Sequence, residues 1–493
     1  MNAQLSPTIS DFLKTPVRHF IGGRWKPGAN GVTAQVLNPS DGSVLATVAM
    51  GSATEIDDAV TTAWKAFPAW SALPPGARAA KLHRFAEQLE KHSADLALLE
   101  SLDVGKAITA AEGFDIPFGI ECVRYFADLS TRAHYDVPLA IKNIEARTRR
   151  APYGVCGFIF PWNFPFTLLL WGIAPALAAG NTVVVKPSEV TPLSSLLAAK
   201  LAVEAGLPDG VINVVTGDGP STGAALANHP KIKRMSFTGS PDVGKKIGEA
   251  CGRNLVPCKL ELGGKGAAVV FDDVDVDDAA KKLAGAITLN TGQVCCTATR
   301  WLVHEKIYDR FVDRAVSALQ ETKIGAGPDR TTQMGPLVSA AQQQRVVRYL
   351  ANGVKQGAEA VLPGGTAAPR GYEHGFYVQP SLLAGSPDNV CCREEIFGPS
   401  AFLVKFKDEA AAVGLVNQLA YGLANSVWSA DLKRAGRVAE QMIAGNSWIN
   451  AHNVFAHGLP YGGVNLSGFG GGVNSPETFH DYLRPQTIAR PLV

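Results

Sequence analysis

A cysteine among small and polar residues is the first candidate for chemistry in this sequence. Cys295 lies in residues 290–300 (NTGQVCCTATR), directly after Gly292 and Gln293. Such a segment is typical of a turn or a helix start, where backbone amides lower a thiol pKa and favour the nucleophilic thiolate. A small buried cysteine with no chemical role is the commoner alternative. The thiol therefore needs supporting groups elsewhere in the chain.

Two other segments offer such groups. Glu261 ends a strand-like run in KLELGGKG (259–266), and apolar surroundings would raise its pKa toward that of a base working near neutral pH. Asn163 lies between Pro161 and Pro165 in FPWNFP, where a rigid amide could donate to a developing oxyanion. The alternatives are an ordinary strand-end glutamate and an asparagine that caps its own backbone.

Two weaker signals suggest a nucleotide site. FTGSPDVG (237–244) places Gly239 and Gly244 between a strand and a helix, where amides can meet a pyrophosphate, although it is not the full GxGxxG pattern. VKPSE (185–189) ends another strand and offers Lys186 and Glu189. A carboxylate after such a strand can accept ribose hydroxyls and repels a 2′-phosphate.

The elements that must position these groups follow an alternating pattern. Apolar residues at three- and four-residue steps predict helix from Ala53 to about Leu99, and another helix over 307–319. Thr191 and Pro192 predict an N-cap and first helical residue, with the helix ending near Gly206. Strands are predicted over 154–160, 181–186, 211–215, 233–237, 267–271, 300–304, 401–406 and 447–450, with an edge strand in the C-terminal tail. This order predicts an α/β fold with mostly parallel sheets, which bind ligands at the carboxyl ends of their strands.

Composition narrows the function classes. The chain has 493 residues, 46 basic and 44 acidic residues and a net charge of +2, which does not favour nucleic-acid binding. The N-terminus has no secretory pattern and the apolar stretch from Val155 to Val185 contains Pro161, Pro165 and Pro175, so no membrane association is expected. No cysteine or histidine cluster has zinc-ligand spacing, so no metal is expected. Together with eight cysteines, these features predict a cytoplasmic protein with reduced thiols.

Taken together, these segments closely resemble the aldehyde dehydrogenase superfamily from about Ile21 to about Ile488. The motifs that carry the resemblance are PWNFP, KPSE, FTGS, ELGGK, GQVC, EEIFGP and PYGG, in that order. The resemblance implies an NAD-dependent, non-acylating oxidoreductase that converts an aldehyde to its carboxylic acid. Cys295 would form a thiohemiacetal and then a thioester, Asn163 would hold the oxyanion, and Glu261 would activate the hydrolytic water.

The same resemblance implies further contacts. The expected cofactor-binding residues are Trp162, Lys186, Glu189, Gly219, Gly239, Ser240, Gly244, Glu395 and Phe397, and Glu189 favours NAD over NADP. The expected substrate tunnel, which suits an apolar or aromatic aldehyde, is lined by Phe164, Leu168, Trp171, Phe455 and Tyr461. An anionic aldehyde is less favoured, although Arg124, His452 and His457 could change that.

Some positions depart from the family pattern. Gly172 stands where many relatives have a lysine that is a proposed member of a proton path. Pro241 replaces a small polar residue, and Asn465 and Gly471 replace a usual lysine and arginine. These changes put turnover and substrate class in question more than reaction type.

The resemblance also implies a fold in three parts and an oligomer. The expected divisions are a Rossmann-type nucleotide-binding domain (1–129 and 152–260), an α/β catalytic domain (261–479), and a small β bridging and oligomerisation element (130–151 and 480–493). Strand pairing through the tail would give a homodimer or homotetramer. Alternative functions are a cofactor-free thiol esterase or hydrolase, a non-catalytic structural relative, and a coenzyme A-dependent acylating relative. Glu261 argues against the acylating relative, which commonly lacks this glutamate.

Overall fold

The computed structural model describes residues 6–13 and 17–492, so residues 1–5, 14–16 and 493 of the expected domain ranges lie outside the described residues. The α-helices in the described part are α1 (Pro7–Leu13), α2 (Ala53–Ser71), α3 (Pro75–Lys91), α4 (Ser93–Val104), α5 (Ile108–Ala110), α6 (Ile116–Arg132), α7 (Pro165–Ala178), α8 (Leu193–Glu204), α9 (Ala224–Ala227), α10 (Pro241–Arg253), α11 (Val276–Thr288), α12 (Tyr308–Gln320), α13 (Ala340–Lys355), α14 (Val390–Arg393), α15 (Glu409–Asn417), α16 (Leu432–Gln441) and α17 (Pro476–His480).

The strands alternate with these helices over most of the chain. They are β1 (His19–Ile21), β2 (Arg24–Lys26), β3 (Thr33–Leu37), β4 (Val44–Ala49), β5 (Asp136–Ile141), β6 (Ile144–Pro152), β7 (Val155–Ile159), β8 (Thr182–Lys186), β9 (Ile212–Val214), β10 (Arg234–Thr238), β11 (Cys258–Glu261), β12 (Gly266–Val270), β13 (Ala298–His304), β14 (Glu359–Leu362), β15 (Ser381–Ala384), β16 (Ser400–Phe406), β17 (Tyr421–Gly422), β18 (Ala424–Trp428), β19 (Asn446–Ile449), β20 (Val464–Asn465), β21 (Gly468–Phe469) and β22 (Leu483–Pro491).

The first large sheet has the order β2-β1-β9-β8-β7-β10-β11-β21. Its central strands from β9 to β11 are parallel, and β7 and β8 are buried along their whole length, as expected for a sheet covered by helices on both faces. The chain proceeds outward from β7 in one direction through β8 and β9, and in the other through β10 and β11. The gap between the carboxyl ends of β7 and β10 is therefore a switch point, where open α/β sheets bind ligands.

The second sheet has the order β14-β15-β16-β13-β12-β18-β19 and is parallel except for β14. A third, antiparallel sheet has the order β22-β6-β5, in which the C-terminal strand pairs with β6 over its whole length. This sheet joins the end of the chain to the segment before β7. Its outer surface leaves apolar side chains exposed, namely Val137, Leu139, Ile141, Ile144 and Ile488.

Most elements expected from the sequence are present. The α/β class with parallel sheets is confirmed, and so is the tail strand, which pairs with β6 of the same chain. The region from Ala53 to Leu99 is helical but contains breaks between α2, α3 and α4. The expected start of α8 is wrong by one residue: Pro192 is the cap and Leu193 the first helical residue. Pro192 still initiates the helix, since its carbonyl accepts from the amide of Leu196.

No helix in the described part of the chain is long and apolar enough to cross a membrane. Within residues 6–13 and 17–492, no group of three or more His, Cys, Asp or Glu residues is arranged to hold a metal ion.

Candidate active site

A cavity of about 450 Å³ opens at the carboxyl ends of β7, β10 and β11 and is closed on its other side by the turn before β13. Asn163, Glu261 and Cys295, which are far apart in the sequence, all line it. Asn163 and Glu261 lie just beyond or at the end of β7 and β11, so the parallel topology brings them to one edge of the first sheet, and Cys295 meets them from the turn before β13. The sheet thus assembles a thiol, a carboxyl group and an amide in one largely enclosed space.

The loop that precedes the thiol has an unusual backbone. Asn290 and Thr291 have φ values of 46° and 57°, in the left-handed region that β-branched residues rarely adopt. The Thr291 hydroxyl donates to the carbonyl of Gly335 at 2.9 Å, which helps to hold this conformation. Gly292 has φ 71°, and a Cβ there would lie 2.2 Å from the carbonyl carbon of Gly398. The glycine of GQVC is therefore required for the close approach of this loop to the backbone of EEIFGP, whereas a Cβ at Gly398 would lie 2.5 Å from Val346.

Cys295 lies in the expected turn, not at a helix start, so its thiolate is not stabilised by a helix N-terminus. The neighbouring Cys296 side chain lowers the pKa of Cys295, hydrogen bonds from Tyr461 and from the Cys295 backbone amide act in the same direction, and burial opposes them. The Cys295 Sγ and Tyr461 Oη atoms are 3.5 Å apart. Cys296 is buried, and its pKa is raised well above the ordinary value. Of these two neighbouring thiols, Cys295 is the one that forms a thiolate more readily.

Glu261 ends β11 and its side chain is buried. Burial raises the pKa of Glu261 to about 8, although the ammonium of Lys259 lowers it. Neither carboxyl oxygen has a hydrogen-bond partner among the described residues. A carboxyl group with such a pKa, facing a cavity and free to bind water, can accept a proton near neutral pH.

Asn163 is fixed by the loop that carries the thiol. Its Nδ2 donates to the carbonyl of Gln293 at 3.0 Å, and its own carbonyl accepts from Asn290 Nδ2 at 2.9 Å. The interpretation in which Asn163 caps its own backbone is therefore wrong, because these bonds reach across 127 and 130 residues. The amide is positioned relative to Cys295 by two bonds between separate segments.

Glu395 and Phe397 line the same cavity. Burial raises the pKa of Glu395 to about 7, and its carboxyl group accepts from the amide of Gly264 at 2.9 Å. Phe397 has φ 64°, and Gln342 Nε2 donates to its carbonyl at 2.7 Å. Its ring makes an edge contact with Trp162, with centroids 5.2 Å apart.

The remaining expected cofactor residues divide into two groups, one that lines the cavity and one that does not. Gly239 and Ser240 line the cavity at the start of α10, where Ser240 is the N-cap and Pro241 the first helical residue. Proline suits this position because its missing N–H needs no partner there, which accounts for the departure at 241. The N-terminus of this 13-residue helix faces the cavity, and its free backbone amides can bind a diphosphate.

Lys186, Glu189, Gly219 and Gly244 do not line this cavity. Lys186 Nζ lies 3.2 Å from the Glu189 carboxyl group and donates to the Gly217 carbonyl at 2.8 Å. A Cβ at Gly219 would meet nothing within 4 Å, so a ligand can approach its backbone. A Cβ at Gly244 would instead lie 2.5 Å from Leu262, which gives this glycine a packing role.

Aromatic side chains form one wall of the cavity. The expected tunnel residues all line it, namely Phe164, Leu168, Trp171, Phe455 and Tyr461. Phe114 also lines it, with its ring centroid 5.7 Å from that of Phe455. Phe118 packs behind, 4.9 Å from Phe114 and 5.7 Å from Trp171. Neither residue was expected in the site from the sequence, although their four-residue spacing places them on one face of a helix.

The three side chains that could have favoured an anionic substrate are not available for it. Arg124 is paired with Glu90 and Glu121. Burial lowers the pKa of His452 to about 4, and its ring contacts the carbonyl of Cys296 at 2.9 Å. Burial also lowers the pKa of His457, whose ring stacks on Phe118 at 4.2 Å.

Comparison with known proteins agrees with this geometry. The profile of the aldehyde dehydrogenase family matches residues 25–488. Phenylacetaldehyde dehydrogenase of Pseudomonas fluorescens is 40% identical over 480 residues, covering 95% of each chain. An aldehyde dehydrogenase of Bacillus cereus, solved with NAD+, is 37% identical over the full length of both chains with a TM-score of 0.97. Indole-3-acetaldehyde dehydrogenase of P. syringae, solved as a mutant with NAD+ and IAA, is 37% identical, covers 98% of each chain and has a TM-score of 0.94.

A match over nearly the whole length defines the class: the chain belongs to the aldehyde dehydrogenase family. It is an NAD-dependent oxidoreductase that converts an aldehyde to a carboxylic acid. The interpretations as a cofactor-free hydrolase or a non-catalytic relative are therefore set aside.

Proposed function

We propose that this enzyme oxidises arylacetaldehydes and similar aromatic aldehydes. The observation that carries the proposal is the aromatic wall beside Cys295, combined with the absence of an available cation among the described residues of that wall. Of the cations that line the cavity, Lys106 is paired with Glu100 and Asp115, and Arg345 donates to backbone carbonyls. Lys259 lies on β11, two residues before Glu261, and donates to the carbonyl of Gly472, so it is placed with the Glu261 carboxyl group and not on the aromatic wall. The substrates in the names of two relatives, phenylacetaldehyde and indole-3-acetaldehyde, support the same class.

In the proposed mechanism the Cys295 thiolate attacks the aldehyde carbonyl, and the Asn163 amide donates to the resulting oxyanion. NAD supplies the hydride acceptor, whose reduction leaves a thioester on Cys295. Glu261 then takes a proton from water, the hydroxide adds to the thioester carbonyl, and cleavage of the C–S bond returns the thiolate. The enclosed cavity limits access of other water to the thioester.

NAD fits the residues around the cavity, and we propose how they hold it. Glu395 would bind the nicotinamide ribose, with Phe397 beside the ring; Trp162, which the resemblance placed on the adenine side of the cleft, has its ring against Phe397. Gly239 and Ser240 would meet the diphosphate at the start of α10. Lys186, Glu189 and Gly219 would contact the adenosine half, and the carboxyl group of Glu189 would repel the 2′-phosphate of NADP. Gly244 would act only through its packing on Leu262.

The substrate proposal predicts a ranking of aldehydes. With NAD, kcat/KM for phenylacetaldehyde should exceed that for succinic semialdehyde by about 100-fold or more, because the wall offers apolar contact and no cation for a carboxylate. NADH formation at 340 nm across phenylacetaldehyde, benzaldehyde, hexanal and succinic semialdehyde measures it. Phe455→Ala should lower kcat/KM for phenylacetaldehyde by about 10-fold or more and affect acetaldehyde less. A preference for succinic semialdehyde would contradict the proposal.

A second prediction concerns cofactor choice. Glu189→Gln removes the charge opposite the 2′ position, so kcat/KM with NADP should rise about 10-fold relative to NAD. Both cofactors are compared with the same saturating aldehyde. Glu204→Gln removes another partly exposed carboxyl group that pairs with a lysine, Lys200 on α8, and serves as the matched control. A wild-type enzyme that prefers NADP, or an unchanged ratio in Glu189→Gln, would exclude this role.

Three structural proposals accompany this function. We propose the division into a nucleotide-binding domain (1–129 and 152–260), a catalytic domain (261–479) and a bridging element (130–151 and 480–493), which the eight-, seven- and three-stranded sheets support.

We further propose a homodimer or homotetramer, supported by the exposed apolar residues of the β22-β6-β5 sheet. A thiol nucleophile also needs a reducing compartment, so we place the enzyme in the cytoplasm.

A further inference from the structure

A buried lysine that the mechanism above does not use lies beside the proposed base. Lys259 precedes Glu261 by two residues on β11, so both side chains leave the same face of the strand. Both line the cavity. Lys259 is 1% exposed, and its Nζ donates to the carbonyl of Gly472 at 3.3 Å. Within the described part of the chain it forms no ion pair shorter than 4.0 Å. An ammonium group is therefore buried at the reaction site with a single backbone acceptor.

The opposite wall cannot supply a second ammonium group here. Gly172 of α7 lines the cavity, and a Cβ at this position would lie 2.5 Å from Cζ of Phe160. The Phe160 ring fills the space that a side chain at 172 would take. A cation at position 172 is therefore excluded, and Lys259 of β11 is the cation that acts on Glu261.

The other charged groups near Lys259 are engaged elsewhere. Arg234, on the neighbouring strand β10, lies 3.9 Å from the Asp481 carboxyl group and over the ring of Tyr482. Asp481, Tyr461 and the thiols Cys122 and Cys295 also act on Lys259 or Glu261, and the Tyr482 ring centroid lies 5.9 Å from Lys259 Nζ. Burial lowers the pKa of Lys259 to about 8, and Glu261 has the largest opposing effect. Lys259 and Glu261 are thus each other's main electrostatic partners.

We propose that Lys259 is a positioning residue for hydrolysis, whose ammonium keeps the Glu261 carboxyl group ionised in a cavity that would otherwise favour its neutral form. This inference rests on the proposed function, because it assigns Glu261 as the base. Only the ionised carboxylate can take the proton from water. That proton then leaves for solvent, and Lys259 keeps its own proton throughout. Its contribution is the positive charge of its protonated form, whose effect is largest where water is excluded.

The test measures thioester hydrolysis directly at different pH values. A rapid burst with phenylacetaldehyde and NAD loads the enzyme, and decay of the acyl-enzyme is followed by intact-protein mass spectrometry from pH 6 to 10. Lys259→Gln retains a donor for the Gly472 carbonyl. In this variant the pH at which the decay rate rises should be higher by about one pH unit or more. Decay at pH 7 should then fall about 10-fold. Lys259→Arg retains the charge and should restore most of the wild-type profile.

Controls separate this inference from a structural role and from the proposed function. Lys282→Gln on the exposed face of α11 removes a lysine remote from the cavity and should leave the profile unchanged. If Lys259→Gln decays with the wild-type pH dependence, or if Lys259→Arg is shifted equally, the charge role is overturned. Failure of the wild-type enzyme to form an acyl-enzyme, or undiminished hydrolysis in Glu261→Gln, would overturn the proposed function instead. In the Glu261→Gln background, Lys259→Gln should have no further effect on the pH dependence.

Discussion

Cys295→Ala is expected to lower aldehyde-dependent NADH formation by about 10⁴-fold or more, because no covalent route remains without the thiolate. The methyl group of alanine occupies less space than the thiol and leaves the surrounding loop in place. Binding of NAD, measured by isothermal titration calorimetry, should therefore be retained. Loss of turnover with retained binding would locate the defect in chemistry.

The neighbouring thiol offers a matched control for this result. Cys296→Ala removes a hydrogen bond that lowers the pKa of Cys295, so its turnover should fall, but by no more than about 10-fold. If Cys296→Ala were the variant that lost turnover while Cys295→Ala retained it, the assignment of the nucleophile would be wrong.

Glu261→Gln is expected to separate the two halves of the reaction. The amide cannot accept a proton from water, so the first equivalent of NADH should form in a burst and later turnovers should slow by about 10³-fold. Stopped-flow absorbance at 340 nm resolves the two phases. The acyl-enzyme should persist in mass spectra of the variant and disappear from those of the wild type.

The pH dependence of the wild-type enzyme follows from the same residue. Because burial raises the pKa of Glu261 to about 8, the carboxylate fraction and thus hydrolysis should increase with pH up to that region and then level off. The residual rate of Glu261→Gln should lack this increase. Glu249→Gln, on the exposed face of α10, removes a carboxyl group far from the cavity and should retain the wild-type profile. A wild-type profile that is flat between pH 6 and 9 would contradict the role of Glu261 as base.

The alternation of apolar strands with amphipathic helices predicted the parallel sheets, and the motifs predicted which strand ends carry chemistry. Asn163, Glu261 and Cys295 do line one cavity, as expected for groups at the carboxyl edge of such sheets. Their catalytic roles stay predictions. Local periodicity was sufficient for the strands before Asn163 and Glu261, because the position of a short buried strand in the sheet is fixed by burial, whereas Cys295 lies in a turn before β13 that only its motif predicted.

Other features could not be derived from local patterns. Lys259 is a buried charged residue in β11, and its partner Gly472 is 213 residues away. Phe114 and Phe118 resemble ordinary core residues of an amphipathic helix, because which face of the helix meets the cavity depends on tertiary packing. The stabilisation of the Cys295 thiolate was attributed to backbone amides; the amide of Cys295 does contribute, but the side chains of Cys296 and Tyr461 have larger effects. Such contacts between distant segments become visible only in the folded chain.

The packing of Phe160 against Gly172 also restricts the order in which substitutions at these two positions can be accepted during evolution. A glycine within α7 costs about 1 kcal/mol relative to alanine, yet any side chain at 172 would overlap the Phe160 ring. Enlarging position 172 is therefore accessible only after position 160 has become smaller, and shrinking 160 alone leaves a void in the core. Both single steps lower stability, so the pair forms a barrier between this arrangement and one with a long side chain at 172. A lysine at position 172 is therefore not readily acquired, and it could not easily take over the role proposed for Lys259.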